Sequence, residues 1–138
     1  MTLGFYDQQL VALQVPLSRI EWLRRQTRRP EDDLKRVLIQ SGIDFADFQQ
    51  PVDQLSGGEK ARMMFMTFRL SQPNFLILDE PTNHIDLEGK EQLEEELISS
   101  AATLLITSHD REFIERLATR WLWIDQGQLR ELTNPNPF

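Results

Sequence analysis

The chain has 138 residues, 40% hydrophobic and 27% charged, which is one domain's worth of soluble globular sequence able to bury roughly two thirds of its unfolded surface. Twenty-two acidic against fifteen basic residues leave a net charge of −7, which argues against a whole-surface nucleic-acid binder but leaves room for a local basic patch. Zero cysteines exclude a disulfide framework or a thiolate metal site; no apolar run approaches the ~18 residues of a bilayer span, no secretory signal opens the chain, and a cytoplasmic location is expected.

Leu3 to Val15 alternates loosely and predicts a short strand leaving through a polar turn at Gln8 and Gln9, broken by Pro16. Ile20, Trp22 and Leu23 mark a short helix ending before Arg29-Pro30, because the residue before a proline is pushed out of helical angles. Glu31, Asp32 and Asp33 load acid into the first turn of a second helix striped by Leu34, Val37 and Leu38, and Gly42 closes it.

After Pro51 the character changes. Ser56 to Leu70 predicts a helix, and the apolar run Phe75 to Leu78 predicts a strand covered on both faces. Ile85 to Ser99 reads as helix, Thr103 to Thr107 as a second buried strand, and Asp110 to Ala118 as a helix opened by acid. Trp121 to Asp125 and Gln128 to Leu132 alternate around Gln126-Gly127, a hairpin signal. Strands alternating with helices predict an α/β layer with a largely parallel sheet. The tail from Asn134 to Phe138 is expected to be disordered.

Several short runs carry candidate chemistry. Ser56-Gly57-Gly58-Glu59 matches a capping box, in which each end satisfies the other's orphan amide. It also matches a glycine-opened helix start that a phosphate can approach closely, facing free amides and the positive end of the helix dipole. Asp79 and Glu80 stand at the carboxyl end of an apolar strand, where ligands of open α/β sheets collect. Asp79 is assigned to a Mg²⁺ shell and Glu80 to orienting and polarising an attacking water, with an acidic turn punctuated by Pro81 as the ordinary alternative. His109 follows the next strand and reaches the same crevice, although a lone histidine is more often structural. His84 reads as a loop-shaping residue, and Gln8, at a strand end, as a group that could touch a metal or water. Arg19, Arg24, Arg25, Arg28 and Arg29 form either a solvated helix face or a contact to an RNA backbone. Glu94-Glu95-Glu96 reads as a solvated face, and Met63, Met64, Phe65, Met66 and Phe68 as core.

Taken together and in order, these motifs resemble the ATP-binding cassette (ABC) ATPases. Leu55-Ser56-Gly57-Gly58-Glu59 resembles the ABC signature, and Phe75 to Glu80 the Walker B strand with its catalytic glutamate. Asp86 falls where the D-loop aspartate would be, His109 matches the switch histidine, and Gln8 matches the Q-loop glutamine. The wording Glu80-Pro81-Thr82-Asn83-His84-Ile85-Asp86 and Ser108-His109-Asp110-Arg111-Glu112-Phe113 is similar to the ABC-F subfamily, soluble two-cassette proteins that act on the ribosome.

The resemblance implies an α/β P-loop NTPase core with a small α-helical subdomain. It implies ATP and Mg²⁺ as cofactors, with Glu80 and His109 catalytic and Asp79 and Gln8 on the metal. Ser56, Gly57, Gly58 and Glu59 would serve a nucleotide held by a second cassette, and the ribosome or its RNA is a further expected partner, with no membrane. Residues 1–15 would end the core and carry the Q-loop, 16–52 form the helical subdomain, 53–132 hold the signature helix, Walker B, D-loop and switch, and 133–138 form the tail. One departure is large: no Gly-x-x-x-x-Gly-Lys-[Ser/Thr] stands in the sequence. The core is therefore expected to be incomplete, a fragment without the Walker A region, marginally stable, with exposed apolar surface and little or no hydrolysis by itself. The alternative is a non-catalytic module docking on a cassette partner or ribosomal RNA. A split-ATPase lobe ranks last, because no heptad coiled coil is seen.

Overall fold

The computed structural model describes residues 1–134. Three strands, β1 (Leu3–Tyr6), β2 (Phe75–Asp79) and β3 (Thr103–Thr107), form a parallel sheet in the order β1-β2-β3. The register runs from Leu3 opposite Phe75 to Tyr6 opposite Leu78, and from Phe75 opposite Thr103 to Asp79 opposite Thr107. All three carboxyl ends therefore lie on one edge, and the chain reaches it at residues 7–9, 80 and 108.

The excursion between β1 and β2 is helical. Helix α1 (Arg19–Thr27) starts where the Ser18 hydroxyl accepts the Glu21 amide, and ends at Arg28, in left-handed geometry two residues before Pro30. Helix α2 (Glu31–Gln40) carries three acids in its first turn, and Gly42 at φ 81° turns the chain away. Helix α3 (Gly57–Ser71) brings it back to the sheet. Beyond β2 come α4 (Leu87–Ser99), β3, α5 (Arg111–Leu117) and a hairpin of β4 (Trp121–Asp125) and β5 (Gln128–Leu132). Gln126 and Gly127 both have positive φ, as a two-residue hairpin turn requires.

One hydrophobic core joins these pieces. Leu76 and Leu78 of β2 share one buried cluster with Met63, Met64 and Met66 of α3, Trp22 and Leu23 of α1, and Leu34 and Leu38 of α2. Tyr6 stacks on Phe65 at 5.3 Å, and the Trp22 indole donates to the Ala12 carbonyl at 2.8 Å. The methionine-rich segment is core, as its apolar character suggests.

Two expectations are corrected. The strands are not covered on both faces: Leu76 and Leu78 are buried, but Phe75 and Ile77 are half-buried, and Leu3, Phe5, Thr103, Leu105 and Thr107 are exposed. Side chains alternate along a strand, and the helical packing covers one face of this sheet, so the alternate residues are half-covered in β2 and exposed in β1 and β3. An unbroken apolar run cannot distinguish the two situations. Exposed apolar surface is present on this face at Leu3, Phe5 and Leu105, and also on the hairpin at Leu122, Ile124 and Leu129. Glu94 is the second correction, since it is buried at 4% exposure rather than solvated. It lies next to Leu93 on the inward side of α4, where its carboxylate accepts from Arg116 at 2.7 Å.

The expected disordered tail falls mostly on residues 135–138, outside the described residues. No helix among the described residues is long and apolar enough to cross a membrane.

The two faces of β2 make a direct prediction. Leu78→Ala should cost about 2–5 kcal/mol in urea denaturation, the usual loss for a fully buried leucine, and Ile77→Ala clearly less; equal losses would contradict a sheet covered on one face.

Candidate functional site

The site begins where β2 runs out. Asp79 is its last residue and lies opposite Thr107, whose hydroxyl donates to Asp79 Oδ1 at 2.6 Å. That leaves Oδ2 available at the sheet edge. The next residue, Glu80, takes left-handed geometry at φ 50°, a conformation that costs a non-glycine residue about 1–2 kcal/mol. Two backbone bonds hold it there: the Glu80 amide donates to the Thr107 carbonyl at 2.9 Å, and the Asn83 amide donates to the Glu80 carbonyl at 3.2 Å.

The turn folds the Glu80 side chain inward, to 8% exposure. Its carboxylate accepts from the His109 backbone amide at 3.2 Å on Oε2, and His109 Nε2 stands 3.2 Å from Oε1. A buried carboxylate is thus met by an imidazole that is itself almost wholly exposed. Two adjacent carboxylates have separate partners, Asp79 with a hydroxyl and Glu80 with a histidine, so they are suited to separate tasks.

The signature-like turn lies at the start of α3. The capping box is fully formed: Ser56 Oγ accepts the Glu59 amide at 3.2 Å, and Glu59 Oε2 accepts the Ser56 amide at 2.8 Å. The cap leaves the two glycines unexplained, and their reason is steric. A Cβ on Gly57 would stand 3.1 Å from His84 Nδ1, and one on Gly58 3.1 Å from the His84 carbonyl. On its other side the His84 ring donates from Nε2 to the Gln8 carbonyl at 2.8 Å.

The expected residues therefore gather in two places. Asp79, Glu80 and His109 meet at the sheet edge that Gln8 also reaches from β1. Ser56, Gly57, Gly58 and Glu59 form the opening of α3, and the 80–84 loop joins the two through His84. Asp86 is the N-cap of α4, accepting the Gly89 amide at 2.8 Å. No three histidine, cysteine, aspartate or glutamate side chains converge on a metal position among the described residues.

Sequence reasoning gave little weight to His84 and none to the clamp formed by Thr107. Neither carries a linear signal, because each acts on residues far away in the chain. The arginine cluster loses Arg19 to the interior, while Arg24, Arg25, Arg28 and Arg29 stay exposed at the end of α1. Arg24 and Arg25 pair with Glu21, and Arg29 donates to the Leu70 carbonyl at 2.8 Å.

The family model described as ABC transporter matches residues 3–83, more than half of the chain. The chain belongs to the ABC transporter family. This cassette is 38% identical over 129 residues to the human ATP-binding cassette sub-family F member 3, covering 92% of the chain and 18% of that protein. It is 32% identical over 135 residues to the ribosome protection protein VmlR of Bacillus subtilis, covering 98% of the chain and 25% of that protein. The cassette thus spans a quarter or less of the length of these curated relatives. Among solved structures, the dimeric ATP-binding cassette MJ0796 in a post-hydrolysis state with ADP and Pi matches with a TM-score of 0.69 at 18% identity, over 96% of this chain and 64% of that one. The α/β fold of the cassette is therefore that of the ABC ATPases.

Within the cassette, Glu59 is held below the ordinary carboxylate range chiefly by the Ser56 backbone amide; burial opposes this, and the Ser56 side chain and Arg19 add smaller lowering contributions. A lowered folded value means that its contribution is complete above the unfolded value, about 4.3, and is lost as pH falls through the folded one. Ser56→Ala should cost about 1 kcal/mol at pH 7, and Glu59→Gln should flatten the acid limb of a stability–pH curve. An unchanged acid limb in Glu59→Gln would remove the carboxylate from the cap.

Proposed function

We propose that this cassette forms part of an ATP-hydrolysing ABC-F machine that acts on the ribosome, and that it supplies hydrolytic residues rather than the nucleotide grip. The observation that carries the reading is the buried Glu80 carboxylate, held against His109 one residue beyond Asp79. Phosphoryl transfer asks a protein mainly for positioning and electrostatics. Glu80 would orient the attacking water and take its proton as the bond to the terminal phosphorus forms and the bond to the leaving ADP oxygen breaks. His109, exposed on the same edge, would donate to the terminal phosphate. Its contact with Glu80 ties the two residues into one unit.

The donor set fits Mg²⁺. That ion takes one or two carboxylates and otherwise waters and phosphate oxygens, and Asp79 offers one oxygen while Thr107 holds the other. Asp79, with Gln8 from the end of β1, would hold the ion, which when bound neutralises charge on the phosphate oxygens. Ser56, Gly57 and Gly58 would offer the amides of the α3 start to a nucleotide held by a second cassette, with Asp86 beside that junction. The dimeric state of the MJ0796 structure supports the pairing. The name of the VmlR relative supports the ribosome as the place of action. Of the five arginines only Arg19 is buried, and Arg24 and Arg25 are exposed but paired with Glu21.

No phosphate loop of the Gly-Lys-[Ser/Thr] type stands in these 138 residues, so turnover is to be measured in an intact two-cassette parent, where a phosphate loop and Glu80 belong to the same cassette. There Glu80→Gln should lower phosphate release about 10²- to 10⁴-fold, the usual loss of a general base, while ATP binding stays unchanged. Undiminished release would remove Glu80 from this role.

A further inference from the structure

The His109 ring is almost wholly exposed, so packing does little to place it against Glu80. Its position is inherited from the start of α5, the helix that follows it. That helix has seven residues: Phe113 is buried, Ile114 and Leu117 are half-buried, and the others are exposed. A helix so short and so lightly packed is marginal by itself. What holds its opening is ionic. Asp110, the N-cap, accepts the Phe113 amide on Oδ1 at 3.1 Å, and its Oδ2 lies 2.8 Å from Lys90 Nζ on α4. Lys90 is only 15% exposed and also stands 3.8 Å from Glu112. Arg116 continues the alternation of sign, donating to Glu112 and to the buried Glu94, each at 2.7 Å.

The two helices start on the two sides of the candidate site. Helix α4 opens at Asp86, where the loop that leaves Glu80 ends, and α5 opens at Asp110, directly after His109. Lys90 and Glu94 lie one turn apart on α4, as Glu112 and Arg116 do on α5, so opposite charges meet across the pair of helices in successive turns. Leu93, Leu97 and Phe113 bury these helices in the core, but apolar contact is non-directional and leaves one helix free to slide along the other. The ion pairs remove that freedom, and Lys90–Asp110 is the pair nearest His109. Fully exposed pairs contribute little, whereas Lys90 is largely shielded from water. Each partner stabilises the other's charge: Lys90 is the main cause that holds Asp110 below the usual carboxylate range, and Asp110 the main cause that holds Lys90 above the usual amine range. We propose that Lys90 is a positioning residue which, through Asp110, holds the start of α5 where His109 meets Glu80. Its functional meaning rests on the hydrolytic reading of Glu80 and His109.

The His109 backbone amide donates to Glu80 Oε2, so its hydrogen exchange, followed by NMR on the isotope-labelled full chain, reads the contact without any nucleotide. Lys90→Met keeps the apolar stem and removes the charge. In this variant the His109 amide should exchange about three- to tenfold faster, the worth of one hydrogen bond, while the Glu59 amide in the α3 cap keeps its protection. Lys90→Arg should restore the His109 protection. Asp110→Ser, which keeps an N-cap, should reproduce the loss, and combining it with Lys90→Met should add nothing further. In an intact two-cassette parent, Lys90→Met should lower phosphate release at saturating ATP by about three- to tenfold with ATP affinity unchanged. Unchanged His109 protection in Lys90→Met, a loss shared equally by the Glu59 amide, or no recovery in Lys90→Arg would overturn the proposal. So would undiminished release by Lys90→Met in a parent that Glu80→Gln silences. Glu80→Gln alone decides the hydrolytic reading, so the two failures are told apart.

Discussion

The pairing of β2 with β3 does not stop at the end of the strand, and the candidate site depends on that extra step. Thr107 uses its hydroxyl and its carbonyl on the neighbouring chain segment: the hydroxyl fixes Asp79, and the carbonyl accepts the amide of Glu80. The second bond holds Glu80 in a backbone region that residues with a Cβ avoid. From there the side chain can only turn inward, toward the residue two places beyond Thr107, which is His109. One cross-strand contact thus sets the positions of two carboxylates and a histidine that come from separate parts of the chain. Strain of this kind persists where surrounding structure over-determines it, and the adjoining turn 80–83 supplies the second constraint.

The same sheet shows how burial and function are divided. Its inner face is fused to the helices through Leu76, Leu78 and the methionines of α3, giving a single core that runs from α2 to α5. Its outer face presents Leu3, Phe5 and Leu105 to solvent. Contiguous exposed apolar surface of this sort is characteristic of regions that bury themselves against something else. The rigid inner packing nonetheless suffices to hold the carboxyl edge in place, because the strands that carry it are anchored on that side.

Much of this was legible in the sequence, for identifiable reasons. Helix boundaries at Pro30 and Ser56 were readable because caps and prolines act locally, and the hairpin at Gln126-Gly127 because its turn needs positive φ at both positions. The gathering of Asp79, Glu80 and His109 followed from the rule that parallel strands bring their carboxyl ends to one edge. What could not be read depends on contacts across the chain. Whether β3 is covered on one face or two is not a property of Thr103–Thr107. The burial of Glu94 depends on Arg116, on another helix. The two glycines at the start of α3 looked like an opening for a ligand or part of a cap, and in the folded chain they also make room for His84.

The cassette thus pairs a well-formed carboxyl edge, bearing Asp79, Glu80 and His109, with a sequence that has no phosphate loop. In nucleotide-binding folds of this type the affinity for ATP comes largely from the backbone amides and lysine of that loop, whereas under the proposed function the carboxylates and the histidine would act on the terminal phosphate. The most direct measurement is the equilibrium affinity of the isolated 138-residue chain for ATP in the presence of Mg²⁺, by calorimetry or dialysis. The account predicts no micromolar binding by the chain alone. Micromolar binding with steady phosphate release from the chain alone would contradict it, because the grip would then reside in residues assigned here only to positioning and cleavage.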